Sequence, residues 1–179
     1  MIFGCELLAM TLIFGALTCL LAKVSPQNIG AAEKLCRSRV AGLLIALPCT
    51  LMCVPLAIPV SPGFLIVFLR PLALALPILA YFHLDYYASR AWAFALILGA
   101  YDVIHGCFDR HIPWSGTVTL IMLLQTVAGI WFSAKPYLLR DLFRRAAQSP
   151  RWRTAAAVST ALFGAVSLYV LIVTIFRSI

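Results

Sequence analysis

Asp102, His105 and Asp109 stand at positions i, i+3 and i+7, so a helix carries all three on one face. The residues around them are mostly apolar, and ionisable side chains inside a membrane-spanning run mark a site or a pairing. An imidazole between carboxylates titrates near neutral pH, which suits His105 to passing protons. Arg70 and Glu6 interrupt apolar runs elsewhere in the chain. Together Glu6, Arg70, Asp102, His105 and Asp109 form the candidate polar site, with Tyr101, Cys107, His111 and Trp114 close by in sequence.

Other chemistries find less support. His105 and Asp109, at i and i+4, have the spacing to touch one ion, but no recognised metal-ligand pattern surrounds them. With three histidines in all, paired haem ligands at matched depth are not expected. We expect neither a metal nor a cofactor. Cys49 and Cys53 share a helix face at i and i+4, not in a redox C-x-x-C, and read as small apolar filler. Cys5 and Cys107 alone fall where a disulfide would persist. The chain contains no nucleophile elbow, no H-E-x-x-H and no phosphate-binding glycine loop. A membrane enzyme is therefore the least supported class.

The elements that must position these residues follow from composition. Of 179 residues, 63% are apolar and 11% charged, against about 45–50% and about 25% in soluble domains. That excludes a water-soluble globule and predicts an all-α, polytopic membrane bundle in one transmembrane domain over residues 1–179. Six spans are expected: Ile2–Ala22, Val40–Val60, Phe64–Phe82, Ala91–Phe108, Ser115–Ala134 and Thr154–Phe176. The first lacks a basic leader and a small-x-small cleavage site, and reads as a retained span, not a signal peptide.

Lys and Arg set the expected orientation. The segments after spans 1, 3 and 5 hold 11 of the 14 basic residues, which places them in the cytoplasm and both termini outside, as in a bacterial inner membrane. The net charge of +8 reads as orientation plus attraction to anionic lipid headgroups, not nucleic-acid binding. Within Pro136–Gln148 the residues Leu138, Leu139, Leu142, Phe143 and Ala146 recur at three-and-four spacing. They predict an interfacial amphipathic helix. Arg140, Arg144, Arg145, Arg151 and Arg153 are expected to face lipid. Residues Pro26–Arg39 suggest a second, less apolar helix.

Depth brings the charges together. Arg70 in span 3 and Asp102 in span 4 each lie about six residues, or roughly 9 Å, below the outer end of their span. Two readings follow: an outward-opening polar pocket between spans 1, 3 and 4, or a structural ion pair that positions spans 3 and 4. Arg70 also has the reach to snorkel to the headgroups unaided. Spans 2 and 3 carry Pro48, Pro55, Pro59, Pro71 and Pro77, and each interior proline frees the carbonyl four residues earlier. They read either as a discontinuous pair beside a solute path or as ordinary kinks. Small-residue stripes at Ala91, Ala95 and Gly99 and at Ala157, Ala161 and Ala165 are expected contact seams, within the bundle or against another subunit.

Six spans in under 200 residues, both ends outside, with Lys23-Val24-Ser25-Pro26 closing the first, resemble the proton-gated urea and amide channels. The resemblance covers a handful of residues. The acidic residue those channels carry in their fifth span is missing here, and Gln125 is the one strongly polar side chain in that span. The reading that results is a small transporter or channel component with a polar site in the extracytoplasmic half. The alternative is a non-catalytic subunit or assembly factor of a larger membrane complex. Either implies a homo-oligomer or a larger assembly.

Overall fold

The computed structural model describes residues 2–27 and 29–178, and the side chains of residues 7–27, 29, 30 and 32–176 among them. In the described residues the chain forms α1 (Ile2–Lys23), α2 (Ile29–Arg37), α3 (Arg39–Ala57) with a 3-10 turn at Ile58–Val60, α4 (Gly63–His83), α5 (Tyr87–Asp109), α6 (Ser115–Ala134), α7 (Tyr137–Gln148) and α8 (Pro150–Ser178). The helices α3, α4, α5, α6 and α8 are long and apolar enough to cross a membrane, and the described part of α1, Leu7–Lys23, is a shorter apolar helix. The protein is a small all-α integral membrane bundle.

Local chemistry sets the boundaries. Ser38, in an extended conformation, separates α2 from α3 and caps α3 by accepting from the Ala41 N–H at 3.2 Å. Extended Pro62 opens α4. Pro150 occupies the first position of α8, where its missing N–H costs nothing. The prolines inside α3 and α4 do not split them: each runs as one continuous helix through Pro48 and Pro55, or through Pro71 and Pro77. Pro59 falls in the 3-10 turn that follows α3, and neither helix is interrupted at its interior prolines, so the discontinuous pair does not form. Hydroxyls at Thr11, Thr18, Thr50 and Thr126 donate to carbonyls one turn earlier in their own helices, which spares them an unpaired O–H in hydrocarbon.

Packing divides the bundle. α1 lies along α8, while α5 lies between α6 and α3, and α4 leans on α3 from outside. The α1–α8 seam joins Thr18 to Thr160 by a 2.9 Å hydrogen bond and sets the Phe14 and Phe163 rings 5.8 Å apart. It runs through Thr160, Gly164 and buried Ser167; of the alanine stripe, Ala157 packs on the Leu21–Val24 cluster while Ala161 and Ala165 are exposed. The stripe on α5 does face the bundle, with Ala91 and Gly99 buried.

The basic segments meet at one end. There α2 and α7 lie against each other, and Leu21, Val24, Cys36, Phe143, Ala146 and Ala147 form one buried cluster. The amphipathic helix expected over 136–148 is thus α7, with its apolar face turned into the protein.

Candidate functional site

A cavity of about 580 Å³ opens where α1 fails to pack closely on α5. Its walls come from α1 (Met10, Phe14), α3 (Leu44, Pro48, Cys49, Met52) and α5. Two features of the sequence make this space. Pro48 removes a helical donor, so Leu44 has a carbonyl without its usual partner, and both residues line the cavity. On α5, Ala95, Gly99 and Asp102 lie at i, i+4 and i+7 on one face and line it together. The small residues are therefore the floor of a cavity as much as a packing seam, and the helical repeat that aligns them brings Asp102 to the same wall.

Asp102 is half-buried, with its Oδ2 atom buried, in surroundings that are otherwise almost wholly apolar. It lies seven residues from the Asp109 end of α5, the end away from α2 and α7. A carboxylate at that depth is costly to hold, and such groups mark ligand or ion paths more often than not. Cys49 shares the wall and is a free thiol, as are the described Cys19, Cys36, Cys53 and Cys107.

The other expected site residues are placed differently. Arg70 is exposed on α4, and among the described residues it forms no ion pair. Its helix packs on α3, so α3, not α4, completes the pocket with α1 and α5. Equal depth places two charges at one level of the membrane but says nothing about which helices are lateral neighbours. His105 is exposed, with its ring 4.6 Å from that of Tyr101. Asp109 is exposed at the end of α5. The side chain of Glu6 lies outside the described residues, as does Cys5. No group of three His, Cys, Asp or Glu side chains comes together among the described residues.

The basic residues expected to face lipid are largely engaged within the protein. Arg144 pairs with Glu33 of α2, and its guanidinium holds that carboxyl below the ordinary value of 4.5. Arg140 donates to Asp141 and to the Tyr86 hydroxyl. Arg145 stacks 5.7 Å above the Trp152 ring, and Arg153 donates to the Val24 carbonyl beyond the end of α1. Arg151 is exposed. Burial pushes the Cys36 thiol of α2 up from its ordinary value, which leaves it an unreactive filler.

A second cavity, of about 320 Å³, lies nearer the basic end and shares Phe14, Trp92 and Leu96 with the first. Trp92 and Met52 had no sequence signal beyond their apolar character. No protein-family model matches the chain, and no curated protein or solved structure is significantly similar to it. The likeness to urea and amide channels thus rests on helix number and one turn.

Proposed function

We propose that this protein is a small membrane transport protein whose substrate site is the cavity between α1, α3 and α5. The observation that carries this reading is the Asp102 carboxylate on the wall of an otherwise apolar space of about 580 Å³. Apolar walls with one fixed polar group bind by burying a ligand's body and orienting its head. One carboxylate in such a space suits an amphiphile with an apolar body and a cationic or hydrogen-bond-donating head.

The test is uptake of a lipophilic cation, ethidium, into liposomes that hold the purified protein. Wild type is expected to carry it. Asp102→Asn should reduce the rate at least tenfold, as the loss of a charge-assisted contact implies, while Arg70→Gln leaves it unchanged. Equal rates in protein-free and protein-containing liposomes would remove the reading.

One observation favours the alternative of a subunit in a larger complex. Arg70 stands exposed on α4 without an ion pair among the described residues, and a partner helix with a carboxylate would compensate it. Purification in mild detergent separates the two readings. A larger co-purifying partner supports the subunit, and a lone chain or homo-oligomer supports the transporter.

A further inference from the structure

Two guanidinium groups converge on one phenol at the basic end. Arg37 of α2 and Arg140 of α7 each donate to the Tyr86 hydroxyl at 3.3 Å, and the Arg37 guanidinium also lies 5.4 Å above the Tyr86 ring. Both bonds are long, and they hold two like charges against a single neutral acceptor. Arg140 is offset by Asp141 at 3.1 Å, whereas neither Arg37 nor Arg39 has a carboxylate within ion-pair distance among the described residues. Asp85 stands on the wall of the same pocket, and Glu33, itself paired with Arg144, is within electrostatic reach of Arg37 and Arg140. Arg37, Arg39, Arg140 and Arg144 thus face Glu33, Asp85 and Asp141, which leaves one positive charge in excess. The repulsion favours an anion that takes up the N–H groups left over, since a guanidinium carries five donors.

The backbone is committed to this arrangement. Tyr86 sits in the left-handed region, at φ 54 and ψ 41, a conformation that a bulky residue rarely adopts and that persists only where surrounding contacts enforce it. Beside it a pocket of about 350 Å³ is walled by Arg37, Arg39, Leu84, Asp85 and Tyr86. That is room for a phosphodiester and the start of its glycerol. Val40, next to Arg39 in the chain, and Phe82, two residues before Leu84, are exposed apolar side chains (59% and 64%) at the start of α3 and the end of α4.

We propose that the Arg37–Arg39–Tyr86 pocket is a site for the phosphodiester headgroup of an anionic phospholipid. The phosphate oxygens accept from Arg37 and Arg39, and the acyl chains lie on Val40 and Phe82. Occupancy ties α2, α7 and the α4–α5 turn together, because the anion screens the two guanidiniums that these elements hold against Tyr86. The apolar surface next to the arginines is the reason to assign a lipid and not a free phosphate.

The protein purified in dodecyl maltoside is titrated separately with dioleoylphosphatidylglycerol, dioleoylphosphatidylcholine and sodium phosphate, and bound molecules are counted by native mass spectrometry. Wild type should hold one phosphatidylglycerol at least about tenfold more tightly than phosphatidylcholine, and Arg37→Gln with Arg39→Gln should abolish that preference. Arg151→Gln, which removes an exposed arginine elsewhere at the same end, should leave it within about twofold. Equal binding of the two lipids by wild type overturns the proposal, as does an equal loss in the Arg151 variant. Displacement of phosphatidylglycerol by millimolar phosphate overturns the assignment to lipid. Should the double variant not fold, the wild-type lipid comparison and the Arg151 variant decide.

Discussion

Gln125 of α6, with no exposed surface, donates from Nε2 to the Leu96 carbonyl of α5 at 2.9 Å. That bond fixes the orientation of the amide, because only the nitrogen can donate to a carbonyl. Its Oε1 atom is buried and accepts nothing among the described residues. The side chain therefore gains one hydrogen bond, worth about 0.6 kcal/mol between membrane helices, and offsets it with an unsatisfied acceptor.

The balance predicts that Gln125→Leu, which keeps the volume and removes both polar groups, changes stability by less than about 1 kcal/mol. Gln125→Ala leaves a void between α5 and α6 and should cost about 2 kcal/mol or more. Thermal unfolding in detergent distinguishes the two variants. Equal losses would show that the amide, not its volume, holds the helices together.

Gly42 and Gly99 are both buried but meet different neighbours, and they predict opposite tolerances. A Cβ at Gly42 would lie 2.8 Å from the Ala88 backbone nitrogen and 2.6 Å from the Tyr87 ring. Tyr87 cannot easily yield, since its hydroxyl donates to the Pro77 carbonyl at 3.0 Å and links α5 to α4. Gly42→Ala should therefore cost about 1–3 kcal/mol by overpacking. A Cβ at Gly99 meets only the flexible end of Met10, beside the cavity. Gly99→Ala should cost markedly less in the same melting experiment.

The Glu33–Arg144 pair joins α2 to α7 and carries a defined pH dependence. The folded Glu33 carboxyl is lowered, chiefly by its hydrogen bond to Arg144. Its contribution is present in full above the ordinary value of 4.5 and is lost as pH falls through the lowered value. Glu33→Gln should melt below wild type at pH 7, and the gap should close under strongly acidic conditions. Salt should narrow it as well, because the pair is solvent-accessible. A gap that persists unchanged in acid would show that the variant acts through packing instead.

The spans and both amphipathic helices were legible in the sequence because each follows from one-dimensional information. Apolar length gives α3 to α6 and α8 to within a few residues, and three-and-four spacing gives α7. Lateral arrangement is not one-dimensional. Nothing in the sequence states that α4 leans on the outside of α3, and depth alone puts Arg70 and Asp102 at one level without making them neighbours. The same gap explains the α8 seam, where the alanine stripe is one residue out of phase with Thr160 and Gly164. Asp102 was legible as an intramembrane charge, and the Ala95–Gly99 stripe gave its face. Tyr86 was not, because a tyrosine in the left-handed region has no sequence signature and its importance comes from arginines on two other helices.

The separation of Arg70 from Asp102 makes the sharpest prediction about the candidate site. A buried ion pair couples its members: removing either strands the other, at a typical cost of about 3–5 kcal/mol, and removing both restores much of the loss. Here Arg70 forms no ion pair among the described residues, and it lies on α4, which does not line the Asp102 cavity, so their effects should be independent. Arg70→Ala, Asp102→Ala and the double variant should close a thermodynamic cycle with an interaction of less than about 0.5 kcal/mol. The functional consequences should also separate. Asp102→Ala should lose ethidium uptake because the carboxylate lines the cavity, whereas Arg70→Ala should retain it because Arg70 lies on the outer face of α4. Recovery of stability in the double variant would mean that the pair meets after all. The substrate site would then extend across α4, to include both charges.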